Sequence, residues 1–344
     1  MKTVERIALA LGALLLVWLI HRIGPRTVLE TVGRVGWGFL AVVALSGIIA
    51  LLNTFAWRAT MEKESPRVSV PVLFGFLLAG DAVNALTPSA VVGGELVRIG
   101  LLRRKVSAVA ASASVALAAV CQFLAQLAFV LAALPIVAGG ISGSRAGRAV
   151  LVLAGLGSSA GIACILLVLF RRSGVFSRIH GALASRFPGR FDPSVGGSRW
   201  RSLDEAVFGA FRERPGALAR AFLLYFTGWA MGAAETGLIL FLLGAPVSIR
   251  ACIAIEALAV MVDTILFFVP ARLGTQEGGK YAIFRLLRLD PRLGFALGLV
   301  RRLRELVWAC AGLAILAWWH RRRGLAGEAG SAKIFEGSAV LPKS

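Results

Sequence analysis

The chain of 344 residues is 58% hydrophobic, carries a formal net charge of +20 and has a mean hydropathy of +0.79. A soluble domain of this size would not expose so much apolar surface, so the composition predicts a polytopic membrane protein. Most basic residues lie in a few segments between apolar stretches, as the positive-inside rule describes. This placement argues against nucleic-acid binding as the reason for the charge.

Six apolar stretches are long enough to cross about 30 Å of hydrocarbon as helices. They are residues 4–21, 39–57, 107–137, 149–170, 221–243 and 295–319. The first stretch is too long for a removable signal peptide and lacks a small-residue cleavage site, so we interpret it as a permanent anchor. We expect the integral membrane domain to cover residues 1–323, followed by a disordered cytoplasmic tail at 324–344.

Two further apolar segments, 70–102 and 251–289, are interrupted by glycine, proline and charged residues. They match each other at a constant offset of 182 residues, the distance from Asp81 to Asp263. At that offset Pro88 and Glu95 pair with Pro270 and Glu277, and Arg98 pairs with Lys280. We predict two re-entrant hairpins that form an internal repeat. The predicted helix breaks are Pro88, Gly93, Gly94, Pro270 and Gly274.

The segment 171–220 contains ten arginines among glycine, serine and proline residues. It is predicted to be a cytoplasmic loop that lies against anionic lipid headgroups, with a specific partner site as the alternative. Counting crossings from this loop places both termini in the cytoplasm and the turn at 244–250 outside. The two hairpins then open to opposite sides, and such inverted repeats are typical of transporters that bind their substrate between the copies.

Acidic residues within the apolar segments are the candidates for a functional site. Asp81, Glu95, Asp263 and Glu277 lie in the hairpins, where ionised carboxylates are costly unless they line a polar cavity. The alternative is that each hairpin is an architectural plug whose charges reach the nearer interface.

Two more acidic residues, Glu235 and Glu256, lie in or next to apolar spans. A basic stretch at the start of the last span carries Arg302, Arg304 and Glu305 beside Arg301. Arginines there can pair with the buried carboxylates, and a lipid phosphate could compete for the same guanidinium groups. A purely structural ion-pair network is the alternative.

No pattern in the chain indicates catalysis. The three histidines, His21, His180 and His320, lie at span ends or in the basic segment, and neither a phosphate-binding loop nor a Ser-His-Asp arrangement is present. The four cysteines are widely spaced in apolar helices, which predicts neither disulfides nor a metal site. We therefore expect no enzymatic activity, no cofactor and no metal.

Three stretches carry a family resemblance: "DAVNALTPSAVVGGELVRIGLLRR", "YFTGWAMGAAETGLILFLLG" and "FFVPARLGTQEGG…LVRRLREL". Over residues 5–320 the chain resembles the lysylphosphatidylglycerol synthase transmembrane-domain family, also called flippase-like. Within it, the chain is most similar to the branch associated with hopanoid biosynthesis. The resemblance implies a multi-pass protein of the bacterial inner membrane that moves lipids between leaflets.

The resemblance also implies a set of polar motif residues. By position these are Asn84, Pro88, Gly93, Gly94, Glu95, Arg98, Gln276, Glu277, Gly278, Arg302, Arg304 and Glu305. Two features depart from the family pattern: only Gln122 and Gln126 stand where many members carry a charge, and Ala271-Arg272 replaces a glycine and a small residue. The aminoacyltransferase domain of the family's name is absent, so we do not expect synthase activity.

Together these observations predict an all-α membrane protein with six crossing helices and two opposed re-entrant hairpins. Its expected function is the movement of a phospholipid or a hopanoid-type lipid between leaflets. The alternatives are an accessory subunit that presents lipid to a biosynthetic enzyme partner, and a membrane-embedded lipid transferase.

Overall fold

The computed structural model describes residues 33–61, 68–86, 93–141, 145–170, 174–186, 193–265 and 275–337. All regular secondary structure in these ranges is helical. The main helices are α1 (Gly38–Thr60), α2 (Val70–Leu86), α3 (Gly93–Leu102), α4 (Ala108–Ile141), α5 (Arg145–Phe170), α6 (Val175–Arg186), α7 (Pro193–Glu213), α8 (Pro215–Leu242), α9 (Ile249–Ile265), α10 (Thr275–Leu286) and α11 (Pro291–Gly337).

Three of these helices contain a stretch long and apolar enough to cross a membrane. They are α1, α4 and, within α5, Gly147–Val168, and they coincide with three of the predicted spans. Helices α8 and α11 cover the predicted spans 221–243 and 295–319, but each carries buried charge, such as Glu235 and Arg301. The predicted span 4–21 lies outside the described residues, so the count of six stays a prediction.

Each predicted hairpin contains two helices that pack on each other, α2 with α3 and α9 with α10. The segments between them, 87–92 and 266–274, include Pro88, Pro270 and Gly274 and lie outside the described residues. The prediction of a break at Gly93 and Gly94 is wrong, because both residues are in the first turn of α3.

Gly94 is required by the close approach of α2 and α3. A Cβ atom at this position would collide with the carbonyl oxygen of Gly80 on α2. A Cβ on Gly80 would in turn lie 2.7 Å from the Arg98 side chain. The two helices can therefore pack at this distance only because neither glycine has a side chain.

The offset of 182 residues also relates the helices. The separation is the same from the last residue of α1, Thr60, to that of α8, Leu242, and from the first residue of α3, Gly93, to that of α10, Thr275. Packing is reciprocal as well, since α2 contacts α11 and the equivalent helix α9 contacts α4. We call α1–α4 the first copy and α8–α11 the second copy.

Equivalent helices of the two copies run antiparallel where they meet. Gly38 near the start of α1 lies against Leu242 at the end of α8, whereas Asn53 later in α1 lies against Gly228 earlier in α8. The α2/α11 pair has the same sense, because Gly75 contacts Ile315 while Leu78 contacts Gly312. The connecting helices α5, α6 and α7 have no counterpart at this offset.

Apolar side chains form one main core in each copy. The first centres on Trp57, Leu73 and Phe76, each at most 1% exposed, and the second on Ile255 and Phe284, both fully buried. Their separation leaves polar side chains to be placed where helices of the two copies meet.

The segment 171–220, predicted as a loop, is largely helical, because α7 buries an apolar face with Val207 and Ala210 in the core of the first copy. Helix α7 packs on α4 and α8. Its buried Asp204 accepts hydrogen bonds from the backbone N–H groups of Phe176 and Ser177, both at 3.0 Å, and so caps the first turn of α6.

The disorder predicted for residues 324–344 stays a prediction. The helical backbone of α11 extends into this segment as far as Gly337.

Candidate functional site

Four charged side chains from three helices meet inside the second copy, and we call them the charge network. They are Glu235 on α8, Glu256 on α9, and Arg301 and Arg304 on α11. Their side chains are 2%, 7%, 10% and 17% exposed, in that order. Charged groups so far from solvent are stable only when they are paired and hydrogen-bonded.

Arg301 is the centre of the charge network. Its Nη2 donates to Glu256 Oε2 at 2.7 Å and its Nη1 to Glu256 Oε1 at 3.3 Å. The same Nη2 donates to Thr236 Oγ1 at 2.8 Å and to the Gly232 carbonyl at 3.0 Å. Thr236 in turn donates to Glu256 Oε2 at 3.0 Å, so α8, α9 and α11 are joined through one guanidinium group.

Glu235 connects this centre to the second arginine. Arg304 Nη1 donates to both carboxylate oxygens of Glu235, at 2.7 and 2.9 Å, and Arg301 Nε lies 3.4 Å from Glu235 Oε2. The result is an alternating chain of carboxylates and guanidinium groups, Glu256–Arg301–Glu235–Arg304. Gly232 makes room for it, because a Cβ there would lie 2.8 Å from the Glu256 carboxylate.

Further charges surround the charge network. Glu305, whose side chain is 31% exposed, lies 3.6 Å from Arg304 and 3.9 Å from buried Arg302. Lys280 on α10 is buried and interacts electrostatically with Asp263 and Glu305. Because Glu305 and Arg304 are the most exposed members of this set with printed ion pairs, they mark its more open end.

A second polar cluster, the first-copy cluster, joins α2 and α3. Arg98 Nη2 lies 2.5 Å from Asp81 Oδ1, and Arg98 Nη1 lies 3.8 Å from Glu95 Oε1. Asn84 accepts the Gly94 N–H at 2.7 Å and donates to Glu95 Oε1 at 3.5 Å. Its side chains thus hold the start of α3 against the end of α2.

The first-copy cluster is unevenly solvated. The Asp81 side chain is 49% exposed, whereas that of Arg98 is 14% exposed and its guanidinium carbon lies 5.8 Å from the centre of the Trp57 ring. Within the described residues, Glu95 Oε2 is buried and has no hydrogen-bond partner. A donor from a ligand could therefore satisfy it, since buried carboxylate oxygens are costly when unpaired.

Two hydrogen bonds join the copies. Gln126 on α4 donates to Thr264 on α9 at 2.8 Å, and Trp308 on α11 donates to Ser46 on α1 at 2.8 Å. The sequence analysis noted Gln126 only as a departure from the family pattern. In the structure its amide replaces a charge as the polar contact between copies.

The structure brings most predicted site residues into these two groups. Asp81, Asn84, Glu95 and Arg98 form the first-copy cluster, while Glu235, Glu256 and Arg304 belong to the charge network. Arg302, Glu305 and Asp263 lie around that network. Gln276 and Glu277 are in the first turn of α10 by backbone, and their side chains lie outside the described residues.

The sequence analysis did not select Arg301, Thr236 or Lys280 as site residues. The spacing of Arg301 and Arg304 places both on one helix face and contained the missing signal. Thr236 had no comparable signal, because threonine is common in apolar helices and its role depends on Glu256 and Arg301 from other helices.

The family model described as lysylphosphatidylglycerol synthase TM region matches residues 6–314. The chain belongs to this family. It is therefore a membrane protein, as the composition predicts, and the match covers both copies and the helices between them. The branch associated with hopanoids is a finer assignment that the family match does not make.

A curated relative is the UPF0104 membrane protein of Methanothermobacter thermautotrophicus strain Delta H. It is 37% identical over 103 residues, which is 30% of this chain and 30% of that protein. The match thus spans less than a third of the relative's length. No solved structure gives a significant match.

Proposed function

We propose that this protein moves a phospholipid or hopanoid-type lipid between the leaflets of a bacterial cytoplasmic membrane, and that it is not an enzyme. The observation that carries the proposal is the buried Glu256–Arg301–Glu235–Arg304 chain among apolar helices. Ionisable groups at such depth are expensive and usually mark a pathway for a polar group. A lipid headgroup needs such a pathway, because its chains can stay in the surrounding hydrocarbon.

The relation between the copies supports a transport mechanism. Antiparallel packing of equivalent helices is what an inverted repeat requires, and transporters of that kind bind substrate between their copies. In this proposal α2–α3 and α9–α10 are re-entrant hairpins entering from opposite faces, and six other helices cross the membrane. The backbone freed in each break then faces protein or a polar cavity.

The charge distribution supports a cytoplasmic location for α6, α7 and both termini. Exposed arginines on these helices include Arg178, Arg186, Arg199, Arg201 and Arg212. Arg214 at the end of α7 donates to the carbonyl of Met61 at 2.9 Å, which brings the basic segment to the end of α1. Basic surfaces on this side bind anionic headgroups.

A vesicle assay tests the proposal. Purified protein is reconstituted into vesicles that contain a headgroup-labelled phospholipid, and a membrane-impermeant quencher then reports the fraction of label that reaches the outer leaflet. We expect faster exchange than in protein-free vesicles. The Arg301→Gln/Arg304→Gln variant should lose this activity, whereas Arg292→Gln, which removes an exposed charge from the same helix, should retain it.

Native mass spectrometry of the gently extracted protein separates the alternatives. Bound lipid without exchange in vesicles would favour an accessory subunit that presents lipid to an enzyme. A change in the mass of added lipid would favour a transferase. Either result would contradict the proposed translocation.

A further inference from the structure

The two copies share a fold but not the charge network. Shifted by the offset of 182 residues, the four network residues of the second copy correspond to uncharged residues in the first. Glu235 corresponds to Asn53, Glu256 to Phe74, Arg301 to Ala119 and Arg304 to Gln122. The protein therefore contains its own comparison between a charged and an uncharged version of one helical arrangement.

Two equivalent threonines show how the same position is used differently. Thr54 donates to the carbonyl of Ala50 in its own helix at 2.8 Å. Its equivalent, Thr236, instead donates to Glu256 and accepts from Arg301. Only in the second copy is this hydroxyl drawn into contacts between helices.

An aromatic contact occupies the place of the buried carboxylate in the first copy. Phe74, the equivalent of Glu256, packs edge-on against Trp308 with ring centres 6.2 Å apart. The helices α1, α2 and α4 still pack on one another, as α8, α9 and α11 do. The arrangement thus forms without the four charges.

Energetics make this difference informative. Two charges that leave water lose hydration free energy that their mutual attraction rarely exceeds, and replacing a buried ion pair by well-packed uncharged groups is often neutral or stabilising. The first copy realises that replacement. The fold therefore does not require the charge network, and its presence in one copy needs another explanation.

We propose that the charge network is an electrostatic clamp that holds α8, α9 and α11 together in one of two access states. The clamp opens at the Glu235–Arg304 pair, because Arg304 is its most exposed member and adjoins Glu305. The first copy, with Asn53 and Gln122, has no such clamp, so the two halves differ in the access state they favour. This inference rests on the proposed lipid movement.

The uncharged copy supplies the variants that test the clamp. Glu235→Asn and Arg304→Gln are made singly and together, so that the double variant carries the residues of the first copy. Each single variant leaves an unpaired buried charge and should lower the melting temperature. The double variant should recover the melting temperature but move lipid about tenfold more slowly, within the range typical of coupled states.

Access is measured separately from transport. In a background with the four native cysteines replaced by alanine, single cysteines are placed at the equivalent positions Ala82 and Thr264 and labelled from each side with an impermeant thiol reagent. The native pair should give unequal labelling from the two sides. The double variant should shift that ratio by about tenfold.

Two equivalent substitutions provide the matched control. Thr236→Val removes a hydroxyl from the clamp and should reduce lipid movement, whereas Thr54→Val removes its equivalent in the first copy and should not. Equal effects of the two substitutions would contradict the inference.

Other outcomes also decide the question. A double variant with native transport and native labelling would make the charge network a structural strut, and one that stays unstable would mean that the fold needs the charges. Either result overturns the clamp. If the native protein moves no lipid, the proposed function fails, while an unchanged labelling ratio in the double variant would still reject the clamp.

Discussion

Individual carboxylates in this protein differ in how completely they are paired. Both oxygens of Glu235 and of Glu256 have arginine partners, whereas one oxygen of Glu95 is buried without a hydrogen bond. A fully paired carboxylate stabilises an arrangement of helices. A partly paired one is available to a ligand, which makes Glu95 the most informative single position in the first copy.

We predict that Glu95→Gln leaves a folded protein but strongly reduces lipid movement. Glutamine keeps the Oε1 acceptor for Asn84 and the size of the side chain, so the change in unfolding free energy should stay within about 1 kcal/mol. The charge near Arg98 is lost. Lipid exchange in vesicles and melting temperature in detergent are measured on the same preparation.

Glu205→Gln, at an exposed position on α7, is the control for this prediction and should alter neither quantity. The equivalent substitution Glu277→Gln should behave like Glu95→Gln. If the hairpin variants lower only the melting temperature while exchange is unchanged, the hairpins are architectural plugs.

At the scale of elements, glycine positions decide how closely the helices approach. Gly94 permits the contact between α2 and α3, and Gly312 permits that between α11 and α2, where a Cβ would collide with the Leu78 carbonyl oxygen. Helix propensity alone would favour alanine at both positions. Packing between helices therefore outweighs the local preference of the chain.

Gly94→Ala should destabilise the protein by about 1–3 kcal/mol, the usual cost of overpacking, because its Cβ meets the Gly80 carbonyl oxygen. Gly100→Ala on the same helix meets no atom within 4 Å and should be neutral or slightly stabilising. Thermal unfolding of both variants in one detergent gives the comparison. Equal melting temperatures for the two variants would mean that α2 and α3 do not pack this closely.

At the scale of the whole molecule, the reciprocal packing of the two copies is the organising feature. Helices α2 and α9 each pack on the last helix of the other copy, so neither copy completes its own surroundings. Polar contacts such as Gln126–Thr264 join the copies at these interfaces. A movement of one copy relative to the other would therefore change both polar clusters together.

Cysteine labelling in intact cells should place the two ends of α8 on opposite sides of the membrane. Ser185→Cys on α6 and Ser248→Cys after α8 are both exposed positions, and an impermeant reagent should reach only Ser248→Cys from outside. Ser344→Cys should behave like Ser185→Cys. Labelling of Ser185→Cys and Ser248→Cys from one side would show that α8 does not cross, and the opposed-hairpin arrangement would then be wrong.

The sequence by itself determined the membrane environment and the positions of most helices. Long apolar runs such as 39–57 and 107–137 leave few alternatives to a helix in hydrocarbon, because every backbone polar group must be satisfied locally. The offset between Asp81 and Asp263 likewise located the repeat, whose equivalent helices end at Thr60 and Leu242. Where apolar residues are diluted by glycine and arginine, as in 171–220, the sequence predicted a loop and missed two helices.

Only the tertiary structure decided which charges meet. Glu235 and Arg304 are distant in sequence, and no local pattern specifies that Arg301 selects Glu256 and Thr236 from two other helices. Such choices depend on helix rotation and on the space left by Gly232, which are set by packing over the whole molecule. The charge difference between the copies became interpretable for the same reason, since equivalence in sequence acquires meaning only when equivalent helices occupy equivalent surroundings.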